Sequence, residues 1–209
     1  LATFPNQGNY DYLARQVSLL SQDNKDVSKL VTKLIAGQNR DGGWGFKQGY
    51  DSNPWDTVLV LRALLDSEYD DLNLYSKIAY YLQQQQKSNG SFSITENGEE
   101  HIYLTTLVVK ELSRLKEFIN CSSILTSAQN WLVSQRNADG SYGESLLEDA
   151  RAFSVTFDFL SRSEVKTTLN LFNNQKLANG SWENDSLTTA AVLNSLENIK
   201  ADLNLNYED

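Results

Sequence analysis

The imidazole and the thiol, the side chains best suited to a soft metal, occur once each in this 209-residue sequence, as His101 and Cys121. In the stretch GEEHIYL the imidazole follows Glu99 and Glu100. It could ligate a metal or act as a base, but two glutamates hold it protonated as easily as they poise it for work, so the plainer reading is a solvated histidine. Cys121 is followed by two serines and its nearest base is Lys116, five residues back. Nothing adjacent activates the thiol, which reads as inert. A single cysteine also rules out an intramolecular disulfide and a multi-cysteine metal cage. The carboxylates are more suggestive. Segments 46–56, 93–103, 143–149 and 183–187 hold ten acids, Asp51, Asp56, Glu96, Glu99, Glu100, Glu144, Glu148, Asp149, Glu183 and Asp185, against one base, Lys47. That concentration would suit a cationic ligand, a metal ion or a basic partner surface. It is also what the positive ends of helices attract without any ligand. Trp55 beside Asp56, and Tyr103 close to His101, add aromatic rings to the same segments.

A repeat introduces each of these segments. QNRDGGWG (38–45), QQKSNGSF (85–92), QRNADGSY (135–142) and QKLANGSW (175–182) align on Gly42, Gly90, Gly140 and Gly180, which are 48, 50 and 40 residues apart. Periods of this length announce stacked supersecondary units. Ahead of each glycine, apolar residues fall at helical spacing, as in Val27, Leu30, Val31, Leu34 and Ile35, or Ala128, Trp131 and Leu132. Behind it come more apolar runs, DTVLVLRALL (56–65), LTTLVVKEL (104–112), AFSVTFDFL (152–160) and TTAAVLNSL (188–196). Their length of about ten residues favours helix over buried strand. Asn53 before Pro54, and Asp185 or Ser186 before Leu187, are helix-start signals. Residues 12–22 match a second helix that lacks its first, giving an all-α array of about four and a half helix pairs. Second helices carry fewer charges and are expected inside, first helices outside. A glycine after Asp or Asn can take the left-handed conformation that ends a helix. Trp44, Phe92, Tyr142 and Trp182 can then fold back over the preceding glutamine, whose amide can bond the neighbouring outer helix. Set against this structural role are a sugar-stacking aromatic and a calcium loop at Asp41 or Asp139.

The four-fold motif, with an aromatic-Leu pair such as Trp131-Leu132 before it and second helices opening as Asp56-Thr57 or Thr188-Thr189, resembles the repeat of terpenoid cyclases and protein prenyltransferase β-subunits. The resemblance covers nearly the whole chain. It implies an (α/α) toroid, in which six pairs would close the ring, so this one is incomplete or continues elsewhere. The family's activities imply particular residues. A cyclase acid would need an Asp-x-Asp-Asp run at an inner-helix start; Glu148-Asp149 stands at such a start without a third carboxylate, and Asp70-Asp71 stands at the wrong end. A prenyltransferase would need zinc held by Asp, Cys and His, and a thioester domain a Cys-Gly-Glu-Gln stretch; neither pattern occurs.

The toroid places all four acidic segments at one end, as a rim. From glycine to the aligned second-helix position the links run 15, 15, 13 and 9 residues, the first three long enough to build a binding surface. The candidate ligand-binding residues are therefore Trp55, Asp56, Glu99, Glu100, His101, Tyr103, Glu148 and Asp149, with no catalytic residue, metal or cofactor assigned. The reading that follows is a single domain over 1–209, a piece of a larger and bacterial protein, whose acidic rim binds a protein, a glycan or a small molecule. The alternative is a cyclase-like or prenyltransferase-like enzyme acting on an isoprenoid. A net charge of −9 without a basic stripe argues against nucleic acid. No apolar run reaches the ~18–20 residues of a membrane span, and the expected setting is soluble, secreted or at a cell surface rather than cytoplasmic.

Overall fold

A computed structural model describes residues 8–205 apart from residue 96, with side chains described as far as residue 199; Glu96 of the acidic set lies outside the described residues. The helices are α1 (Tyr10–Gln22), α2 (Ser28–Ala36), α3 (Pro54–Asp66), α4 (Leu72–Gln85), α5 (Ile102–Ser113), α6 (Ser122–Ser134), α7 (Leu146–Thr156), α8 (Arg162–Gln175) and α9 (Ser186–Leu205). The odd-numbered helices pack side by side in chain order as the inner layer, and the even-numbered ones lie outside. Burial follows from sequence: most residues of α3 and α5 are buried, whereas α8 buries only Thr168 and Phe172. One core runs from α1 to α6 and a second joins α7, α8 and α9, with Ile102 packed against both. The array is thus the incomplete α/α toroid of four and a half pairs.

Each repeat of the glycine motif is a joint between an outer helix and the next inner one. Gly42, Gly90, Gly140 and Gly180 all have φ between +85° and +96°, the left-handed region that a side chain disfavours. The preceding Asp41, Asn89, Asp139 or Asn179 accepts the backbone N–H two residues on. In this way Asp41 and Asp139 close the turn, the structural role expected of them. The aromatic ring of each joint is buried. Trp44 and Trp182 donate their indole N–H to the carbonyls of Leu34 and Phe172, ten residues back, and Tyr142 pairs its hydroxyl with Thr156. The backbone N–H of Trp44, Phe92 and Trp182 donates to the hydroxyl of Thr57, Thr105 and Thr189, one turn into the following inner helix. In the third joint Tyr142 N–H finds Asp149 at that position, at 2.6 Å.

Joints also clamp the next outer helix. A Cβ at Gly42 would stand 2.7 Å from the Lys77 carbonyl of α4, one at Gly90 2.2 Å from the Ser127 carbonyl of α6, and one at Gly140 2.8 Å from Thr168 Cα of α8. The glutamine expected to bridge neighbouring helices does so in the second joint, where Gln86 donates to the Ile124 carbonyl of α6. In the third joint Arg136 takes that place and donates to the Glu164 carbonyl of α8.

The third pair departs from the sequence reading. The apolar run 152–160 is not one helix: α7 begins at Leu146 and gives way to a 3-10 turn, Phe157–Phe159, before Ser161 caps α8 with a capping box. Ser145 caps α7 by accepting the Glu148 N–H, which draws the helix start forward of the apolar stretch. Aligned on Asp149, the third link is 9 residues rather than 13, so only the first two links are long.

Candidate functional site

The inner helices start at one end of the array, as their first residues show. Trp55 of α3 and Tyr103 of α5 have ring centroids 5.6 Å apart, His101 lies 6.3 and 6.4 Å from the two, and the Arg151 guanidinium of α7 sits 4.5 Å over the Tyr103 ring. A guanidinium over an aromatic face is held by the ring quadrupole. The rim aromatics named from sequence are therefore neighbours, joined by an arginine that sequence reasoning passed over. His101 is the N-cap of α5, and its Nδ1 accepts the Leu104 N–H at 3.4 Å.

The carboxylates divide into two sets. Asp56 and Asp149 are buried, and both hold the frame together: Asp56 accepts the Asn53 side-chain amide at 2.6 Å, and Asp149 accepts Tyr142 N–H and Gly143 N–H. Burial raises both carboxyl pKa values; hydrogen bonds from Asn53, or from the two backbone N–H groups, pull the other way without overcoming it. Glu148 is half-buried and accepts the Glu144 N–H. Asp51, Glu99, Glu100, Glu144, Glu183 and Asp185 are exposed, with Glu100 accepting from the Asn89 amide and Asp185 capping α9 through Thr188 N–H. Six of these acids thus face solvent, but two of the eight candidate residues face inward. Cys121 is buried, its thiol donating to the Leu112 carbonyl at 3.5 Å and its pKa raised by burial. Among the described residues no group of three His, Cys, Asp or Glu could hold a metal ion, and no helix is long and apolar enough to cross a membrane.

Below the rim a groove of about 430 Å³ is lined by all five inner helices. It extends from Tyr103, near the start of α5, to Arg114, just past its end, about 16 Å at 1.5 Å per helical residue. About half of its wall is polar. Glu111, 1% exposed, accepts from Arg62 Nε at 2.8 Å and from Arg114 Nη1 at 2.9 Å, and Arg114 also reaches Asp66 at 2.8 Å. Burial disfavours the charged Arg114, but its hydrogen bonds to Asp66 and Glu111 outweigh that and raise its pKa. Lys110 and Arg151 bring the lining to four cations against two acids. Two hydroxyls in the lining, Thr106 Oγ1 and Ser18 Oγ, are buried without a hydrogen-bond partner. A buried donor left unmade costs about 1–3 kcal/mol. The groove was legible in one respect: Arg62 in DTVLVLRALL and Lys110-Glu111 in LTTLVVKEL are charges inside apolar runs, and such charges seek partners.

The sequence matches the family model described as Prenyltransferase alpha-alpha toroid domain over residues 10–186. No curated protein matches it. Similar solved structures include ent-copalyl diphosphate synthase from Streptomyces platensis, at 18% identity and a TM-score of 0.65, covering 90% of this chain and 39% of that one. A protein from Actinoplanes aligns at 13% identity and a TM-score of 0.48, covering 90% of this chain and 89% of that one. The type II terpene cyclase MstE from Scytonema aligns at 15% and 0.47, covering 93% and 89%. At such identities the likeness is one of fold, and this chain spans about two fifths of the synthase.

Proposed function

The chain belongs to the prenyltransferase α-α toroid family, and from that premise we propose that it is a non-catalytic binding module of a larger protein, holding a polar ligand in the groove of its inner helices. The acidic rim and the Trp55, His101, Tyr103 and Arg151 cluster form the mouth of this site. The observation that carries the reading is the groove wall itself: two unpartnered buried hydroxyls beside a charged network. A groove of about 430 Å³ is within the range of small-molecule sites. Its polarity suits a hydrogen-bonding, hydroxyl-rich ligand such as a glycan segment, with Tyr103 and Trp55 as stacking surfaces. An isoprenoid chain would leave the Arg62, Glu111, Arg114 and Asp66 charges facing hydrocarbon, at a desolvation cost without return.

A panel of neutral and acidic oligosaccharides, read by calorimetry and tryptophan fluorescence, tests this. A binder is expected, with Thr106→Val and Tyr103→Ala each weakening it several-fold. Binding that survives both substitutions unchanged, or turnover of a prenyl diphosphate by the wild type, would overturn the reading.

A further inference from the structure

The inner helices carry matching N-caps. Asn9, Asn53, His101, Ser145 and Asp185 each accept the backbone N–H three residues on. Nine residues after these caps stand Ser18, Arg62, Lys110, Ser154 and Asn194, and every one of them lines the groove. At 1.5 Å per helical residue they lie about 13.5 Å from the caps, as one belt around the wall. One turn further on, Gln22, Asp66, Arg114 and Asn198 line it again, α7 having already ended at Thr156. The same stripe of each inner helix therefore faces the groove, and its chemistry can be compared depth by depth.

The belt holds two cations and no acid. Arg62 gives only its Nε–H to Glu111, so its terminal N–H groups remain for another acceptor. Glu111 and Asp66 together balance Arg62 and Arg114. Lys110 has no carboxylate within 4 Å among the described residues, and its charge stands unbalanced at this depth. Ser154 gives its proton to the Arg151 carbonyl, which leaves Lys110, Arg62 and the exposed Asn194 amide as the donors of the belt. The chain as a whole carries −9, so a cation without a counter-charge is a local feature of the groove.

We infer that the belt holds the acid group of an acidic saccharide, a sugar carboxylate set against Lys110 with Arg62 and Asn194 as further donors. One unbalanced charge matches one carboxylate, whereas a dianionic phosphate would bring a second charge without a partner in the belt. Hydrogen bonds between ionised groups are the strong ones, and here they would form inside a groove rather than in open solvent. Tyr103 at the mouth and Lys110 in the belt are seven residues apart on α5, about 10.5 Å. A sugar stacked on Tyr103 and a carboxylate at Lys110 thus belong to an oligosaccharide rather than to a single ring. This inference rests on the reading of the groove as a saccharide site.

Calorimetry with trisaccharides of galacturonate, glucuronate and mannuronate, each as the free acid and as its methyl ester, tests it. The ester keeps the body of the ligand and removes its charge. For the sugar that binds, the acid should bind about tenfold tighter than the ester, the size of one hydrogen bond to a charged group, and added salt should narrow the gap. Lys110→Gln should abolish the preference and leave the ester's affinity unchanged. Asn194→Asp, which sets a carboxylate in the belt, should weaken binding of the acid alone. Both residues are exposed, so the two variants should melt as the wild type does. An ester that binds as tightly as its acid would overturn the inference and leave the groove reading standing. A preference for the acid that is undiminished in both variants would overturn it too, by placing the anion away from the belt. If no trisaccharide binds in either form, the groove reading falls and this inference falls with it.

Discussion

Adding one methyl group at Gly90 and at Gly180 separates the two demands placed on a joint glycine. Both sit at left-handed φ, so alanine costs about 1–2 kcal/mol at either position. At Gly180 the cost ends there, because the new Cβ meets nothing. At Gly90 it would stand 2.2 Å from the Ser127 carbonyl, against 3.4 Å or more for an ordinary contact. Helix α6 must then retreat by about 1 Å. Forced repacking of a close-packed site costs roughly 1–3 kcal/mol, and the bond from Gln86 to the Ile124 carbonyl, 3.0 Å long, sits on the same helix and is worth roughly 0.5–1.5 kcal/mol. Gly90→Ala should therefore lose roughly 1.5–4.5 kcal/mol more than Gly180→Ala. For a chain of this length that is a gap in melting temperature of roughly 3–18 °C. Thermal melts followed by circular dichroism measure it. Equal losses at the two glycines would refute the clamping role and reduce the motif to a turn.

Asp149 occupies the place that threonine holds in the other three joints, so Asp149→Thr should cost no more than about 1.5 kcal/mol in urea unfolding, whereas Asp149→Leu, leaving Tyr142 N–H unmet, should cost about 1–3 kcal/mol more. Since burial raises the Asp149 carboxyl pKa in the fold, the native state binds that proton more tightly than the unfolded chain. The contribution is fully present below the unfolded carboxylate value, near pH 4, and is lost as pH rises through the folded pKa. Asp149→Asn should therefore gain on the wild type across that window, and a difference that does not change with pH would contradict the burial argument. Replacing Glu111 by alanine leaves Arg62 without its buried partner and should cost about 3 kcal/mol, the low end for a broken buried pair because both arginines are partly exposed; a double-mutant cycle with Arg62→Met should recover much of it. Thr106→Val should be neutral or slightly stabilising in the free protein, since its hydroxyl makes no bond; a clear loss of melting temperature would mean that the hydroxyl is partnered.

Features set by a few adjacent residues were readable from the sequence. The left-handed glycines, the caps at Asn53 and Asp185, and the inner and outer layers all follow from local sequence and periodicity. The meeting of Trp55, His101 and Tyr103 followed from their common place at inner-helix starts. What escaped were facts that depend on distant residues or on a substitution between repeats. Asp56 and Asp149 read as rim acids because nearby acids looked alike; only the third joint shows that a carboxylate can stand in for a threonine. The start of α7 was misplaced because the hydrophobic run 152–160 outweighed the serine cap at Ser145. The groove rests on the pairing of Arg62 with Glu111, 49 residues apart, which depends on how the inner helices lie side by side.

The bond from each joint aromatic to the following helix spans 13 residues in the first two repeats and 7 in the last two. Six residues can thus be present or absent between the same two anchor points with the frame intact. The rim segments are in effect exchangeable parts: the helices carry the load at fixed anchors, and what is inserted between anchors is free to diversify. One link could be replaced by another, and the mouth of the groove reshaped without touching a residue that holds the array together.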